Sequence, residues 1–182
     1  MLGRAVVMLL GVVFLATIIH IAAILLVPRF AETTRWTALY DGLTVHQAAV
    51  LSDPSEDPQL DLMDPLLVMA ACRFDLSANA VAITLPVIQN YWSLSLITRQ
   101  KTTLFTINDR TTGSSAETVY AVLNDQAPRF YASLPEDGTP PLVIETPESE
   151  GVAILRILAD TPSLRSFYRT LSSEYSCGPV EG

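Results

Sequence analysis

No charged side chain interrupts the chain between Ala5 and Val27, and this 23-residue apolar run constrains what the rest can be. As a helix it would measure about 35 Å, enough to cross the ~30 Å hydrocarbon core of a bilayer with some tilt. Fifteen of its residues are Leu, Ile, Val or Phe. At roughly −0.3 to −0.6 kcal/mol each, they favour insertion by at most about 4–9 kcal/mol. Only Gly11, Thr17 and His20 oppose it, and a neutral imidazole costs far less than a fixed charge. His20 would sit about 6 Å from the mid-plane. With no second ionisable group in the span, it reads as a tolerated neutral side chain rather than a proton relay.

A cleaved signal peptide is the competing reading. Its apolar stretch is shorter and closes on small residues, whereas this run ends in Val27-Pro28-Arg29-Phe30-Ala31. An uncleaved anchor fits better. Orientation is nearly balanced, with Arg4 and the terminal amine before the span and Arg29 and Arg35 after it. A cytoplasmic N-terminus with the domain outside follows the habit of short N-terminal anchors rather than the charge count.

The net charge is −8, and the first 35 residues contribute +2 through three Arg and one Glu, which leaves −10 on residues 36–182. A domain that acidic, with Lys101 as its only lysine, has no basic surface for phosphate backbones, so nucleic acid is excluded as a partner. Anionic headgroups would repel it as well, so the domain should stand off the bilayer.

The chain divides into an anchor (1–29), a juxtamembrane segment with an acidic, proline-broken connector (30–64), a β-domain (65–176) and a tail (177–182). Trp36 and Tyr40 are placed either as interface aromatics or as residues packed on the domain. Asp53 to Asp64, broken by Pro54 and Pro58, reads as exposed loop.

From Leu66 the hydrophobic period becomes two. Strands are expected at Leu67–Leu76, Ala80–Leu85, Tyr91–Thr98, Thr103–Ile107, Thr118–Leu123, Leu142–Glu145 and Val152–Leu158. Turns at Ser77-Ala78-Asn79, Asp109–Ser115 and Glu136-Asp137-Gly138 separate them. Val81, Ile83 and Leu85 share one face, as do Trp92, Leu94 and Leu96, with Ser93 and Ser95 opposite. Seven short strands without intervening helices predict a mainly β fold: a transmembrane helix, then an antiparallel β-sandwich or barrel with one C-terminal helix. That helix starts at Thr161, which can cap, and Pro162, which suits the first helical position. Leu164, Phe167, Tyr168, Leu171 and Tyr175 form its apolar stripe, with Arg165 and Arg169 opposite. The stripe either packs on its own sheet or docks another protein. Cys72 and Cys177 either pair in an oxidising compartment or remain separate thiols, Cys72 being core.

Several motifs occur together in order: Asp75-Leu76, Val81-Ala82-Ile83-Thr84-Leu85-Pro86, Tyr91-Trp92-Ser93-Leu94-Ser95-Leu96-Ile97, Arg110-Thr111-Thr112-Gly113 and Leu155-Arg156-Ile157-Leu158-Ala159-Asp160. In this order and spacing, across about residues 64–175, the chain resembles the bacterial family called domain of unknown function twelve fifty-four. The resemblance implies an all-β domain often coupled to a second β-domain, in the same chain or encoded separately, for which this chain has no room. With the anchor and its orientation read above, the expectation is a single-pass protein of the bacterial inner membrane, its domain in the periplasm and its partner a separate β-domain protein. Longer members carry a polar string where this chain reads Met69-Ala70-Ala71-Cys72, so a ligand site served by that string is not transferred here.

Chemistry is sparse. The two histidines are His20 and His46, and there is no close cysteine pair for zinc, no Gly-x-Ser-x-Gly elbow and no phosphate-cradling glycine loop. No catalytic, metal-binding or cofactor-binding residue is assigned, and no cofactor is expected. Arg73 and Asp75, at i and i+2 on one strand, could bind a carboxylate or phosphate or could satisfy each other. Asn108 and Arg110 either serve a hairpin turn or line a pocket mouth with Tyr91 and Trp92. The expectation is therefore a binding or assembly module. The alternative is an enzyme or binder of an apolar or carbohydrate-like ligand, with Arg73, Asp75, Tyr91, Trp92, Asn108 and Arg110 around one cavity.

Overall fold

The computed structural model describes residues 2–51, 64–112, 118–135 and 140–180, with side chains left undescribed at 28–35 and 112. The expected connector and the Glu136-Asp137-Gly138 turn lie outside the described residues, apart from Asp64. The chain forms two compact units, Met1–Leu39 and Tyr40–Gly182.

The first unit is helical. Helix α1 runs over Leu2–Gly42, and its stretch Leu2–Val27 has a mean hydropathy of 2.8 with none of its most apolar window buried. It is long and apolar enough to cross a membrane, as a span or as a signal sequence.

The second unit is mainly β. A five-stranded sheet has the order β1-β2-β8-β4-β5, from Ala48–Leu51, Leu67–Asp75, Glu150–Leu158, Trp92–Thr98 and Thr103–Asn108. All its neighbours are antiparallel. A four-stranded sheet has the order β7-β6-β3-β9, from Leu142–Thr146, Thr118–Leu123, Val81–Thr84 and Ser176–Pro179. Among the described residues both sheets stay open, which makes a sandwich, not a closed barrel.

Alternation puts one face of each strand inside. Val68, Ala70, Cys72, Phe74 and Leu76 meet Trp92, Leu94, Leu96, Ala153, Leu155 and Ile157 from the same sheet and Val81, Ile83, Val119 and Ala121 from the other. Cys72 and Cys177 form a disulfide, which staples β2 to β9 and hence one sheet to the other. The alternative of two separate thiols is thereby set aside.

Four features depart from the sequence expectations. Strand β1 and strand β9, the latter in the expected tail, were not anticipated. Strand β6 pairs with β7 in parallel, although an all-antiparallel arrangement was expected. A parallel neighbour needs a crossover, and helix α3, Ala127–Ser133, supplies it, with a proline in its first turn. The Asp109–Ser115 turn begins as one helical turn, α2, Asp109–Thr112.

Helix α4, Pro162–Leu171, starts where expected, with the Thr161 side chain accepting from Leu164 N–H at 3.3 Å. Tyr168 is buried and Leu164 and Leu171 are half-buried, but Phe167 faces solvent, its ring edge-on to Tyr168 at 5.1 Å. The helix stops at Leu171, and a 3₁₀ turn, Ser172–Glu174, follows. Tyr175 therefore reaches the core from extended backbone, donating to the Ala153 carbonyl at 3.0 Å.

Candidate functional site

Outward-facing positions on β2 and β8 contribute to a polar cluster around Tyr40. Odd-numbered residues of β2 point away from the core, which places Arg73 and Asp75 outside, and the register sets Asp75 opposite Glu150. The β4–β5 turn supplies Arg99. Tyr40 joins them, nearly fully buried, so of its two expected placements it takes the one packed on the domain.

The Arg73 guanidinium lies 4.2 Å from the Tyr40 ring centroid and that of Arg99 lies at 5.5 Å. The Tyr40 hydroxyl donates to Glu150 Oε2 at 2.8 Å, and Arg99 donates to the same oxygen at 3.0 Å. A cation over an aromatic face is worth about 0.5–1 kcal/mol when exposed and more when desolvated. Burial first, and the Glu150 hydrogen bond second, push the Tyr40 hydroxyl up to about 12. Beside the cluster, the His46 ring nitrogen Nε2 meets the Asp75 carbonyl at 3.0 Å and its N–H at 3.2 Å. His46 reaches this position from a left-handed backbone, φ 59°.

Arg73 and Asp75 are neighbours with separate tasks. The Asp75 carboxylate accepts from Ser77 N–H at 2.8 Å, and Ser77, through its side chain and its amide, holds the carboxyl below its ordinary value. Arg73 covers Tyr40, and its Nε is buried without a hydrogen-bond partner.

The remaining expected residues lie elsewhere. Trp92 is core, Tyr91 is exposed, and Asn108 serves the turn, its Oδ1 accepting from Arg110 N–H at 3.0 Å. Asn108 stands opposite Ser93, which pairs with Arg156, whereas Arg73 pairs with Val152. Four residues of β8 separate the two groups, about 13 Å at strand rise. The structure thus brings Arg73 and Asp75 together and Asn108 and Arg110 together, with Trp92 in the core and Tyr91 exposed. Sequence reasoning missed Tyr40, Arg99 and Glu150 because Tyr40 and Glu150 are 110 positions apart and carry no local motif.

Two solvent-open cavities flank the β7–β8 loop. One, about 430 Å³, is lined by Arg99, Gln100, Pro147, Glu148, Ser149 and Glu150. The other, about 390 Å³, shares Pro147 and Ser149 with it. The Glu150 oxygen holds two donors and the Arg73 guanidinium lies over the Tyr40 ring, so the cluster forms a latch that holds Tyr40 against β2 and β8.

An apolar helix preceding a two-sheet sandwich with a buried inter-sheet disulfide defines the class. The chain belongs to the family described as Protein of unknown function (DUF1254), whose model matches residues 58–179. Its fold resembles the VPA0106 protein from Vibrio parahaemolyticus, with a TM-score of 0.58 and 12% identity over 83% of this chain. The match spans 37% of that longer protein. An uncharacterised protein from Burkholderia cenocepacia matches at TM-score 0.46 and 14% identity, over 77% of this chain and 35% of its own. At these identities the likeness concerns fold alone. No curated protein matches the chain.

Proposed function

We propose that this chain is a membrane-tethered assembly module whose β-domain faces the periplasm and pairs with a separate β-domain protein. The observation that carries the reading is one of extent: the fold corresponds to 37% of the Vibrio protein, so in that relative most of the chain lies outside the shared part. That relative thus couples the shared fold to further chain, and the coupling is the precedent for a partner here. The apolar span of Leu2–Val27 supports the tether. The Cys72–Cys177 disulfide supports an oxidising compartment, since such bonds persist outside the cytosol. The latch at Tyr40 and the dispersal of the remaining polar residues favour binding over catalysis.

The full chain in detergent, mixed with the product of a neighbouring gene that encodes a β-domain, should form a heteromer by light scattering. Persistent separate species would overturn the reading. A reporter fused after Gly182 should be active only outside the cytoplasm, and cytoplasmic activity alone would remove the periplasmic assignment.

A further inference from the structure

Strand β5 closes one side of the five-stranded sheet, and among the described residues no strand bonds its far edge. Sheet edges are ordinarily guarded by charge, proline, shortness or a cover. Here β1 has four residues, β7 carries Glu145 behind Pro140 and Pro141, and β9 contains Gly178 and Pro179. Strand β5 reads Thr-Leu-Phe-Thr-Ile-Asn over six residues, without charge, glycine or proline, and its one guard is a register shift at Leu104, which leaves Phe105–Ile107 regular. Leu104 and Phe105 pack against the core yet stay only half-buried, so their apolar surface is unfinished at this edge. Sequence of this kind on an open edge accepts a further strand through its main chain.

The flanks say which strand. Around β5, setting aside Arg99, which is paired with Glu150, the charges are Lys101 and Arg110 against Asp109, a balance of +1 in a region whose total is −10. Lys101 stands two residues before β5 and Arg110, exposed, two residues after it. If two copies paired β5 with β5 about a two-fold axis, Lys101 of each would oppose Arg110 of the other. Like charges across a strand pair are destabilising, so a second copy is disfavoured.

We infer that β5 is a docking edge for an extended, uncharged strand flanked by carboxylates, contributed by a partner β-domain. This rests on the assembly reading above and names its surface. Backbone hydrogen bonds along Thr103–Ile107 would supply register, the Asn108 N–H and carbonyl being held by the Thr111 hydroxyl, and Lys101 and Arg110 would select the acidic flanks.

The test uses the full chain in detergent and two synthetic peptides with the same Thr-Val-Thr-Val-Thr-Val core, one bearing paired Glu at both ends and the other paired Lys. The Glu-flanked peptide should bind saturably and slow amide exchange at residues 103–107. Reversing both flanks, Lys101→Glu with Arg110→Glu, should weaken that peptide roughly tenfold and favour the Lys-flanked one. Unchanged near-ultraviolet dichroism would verify that the variant is folded. Equal binding of both peptides, protection confined to β1 or β7, or protection of β5 by self-association without peptide would each overturn the inference. A partner heteromer that survives the double reversal with β5 exchange unaltered overturns the edge but not the assembly reading. Peptide capture without any heteromer retains the edge and removes that reading.

Discussion

Gly151 occupies a point where no side chain fits. A Cβ there would stand 2.5 Å from Phe74 Cζ and 2.6 Å from the Ile97 carbonyl oxygen, and the latter belongs to a paired strand that cannot withdraw. Gly151→Ala should cost about 2–3 kcal/mol by overpacking, read as a lower urea midpoint at unchanged slope. Tyr40 makes a different prediction. Its folded-state hydroxyl value, about 12, lies above its ordinary 10.0, so the neutral form is the one the fold prefers. That contribution is complete below pH 10 and is lost as pH rises toward 12. Burial raises Tyr175 in the same sense. Tyr40→Phe should cost about 1 kcal/mol at pH 7 through the lost bond to Glu150. It should also flatten, without abolishing, the fall in melting temperature between pH 10 and 12. The Arg99–Glu150 pair, with side chains 59% and 28% exposed, should contribute at most about 1 kcal/mol alone.

Elements with a strong internal period were legible from their residues. Leu67–Asp75, Trp92–Thr98 and Glu150–Leu158 alternate or run apolar because they are central or nearly so, and Thr161-Pro162 marks the start of α4. Strands β1 and β9 were not legible. Ala48–Leu51 is short and alanine-rich, and Ser176–Pro179 carries the glycine and proline of a turn. Pairing with β3 and the bond to Cys72 override that local preference. The parallel β6–β7 pair was hidden with α3, a seven-residue helix too brief to show a period. The polar cluster escaped for the reason that builds it, contacts between distant segments. The disulfide gives the testable consequence at this scale. It links residues 105 positions apart, and closing such a loop restricts the unfolded chain by about 4–5 kcal/mol. The double variant Cys72→Ala, Cys177→Ala should show a loss near that size in denaturant titration. A loss below about 1 kcal/mol would mean that packing alone holds β9 on the sandwich.

For the whole molecule, the apolar side chains of Leu2–Val27 have no protein to cover them among the described residues, and so much exposed apolar surface is not tolerated in water. Full-length protein should stay with membranes through carbonate and high-salt washes and leave only with detergent. Release by either wash would contradict the tether. The domain's order of assembly follows from where β8 sits. It lies in the middle of its sheet, between β2 and β4, yet Leu67 must find Leu158 to complete the β2–β8 register. A nascent polypeptide that has emerged only as far as β7 therefore presents two naked hydrogen-bonding rims, one on each side of an empty lane. Such a half-made sheet invites wrong pairings and is slow to close. Holding chaperones that shield unfinished chains should matter more to this fold than to one whose neighbours in sequence are also neighbours in space.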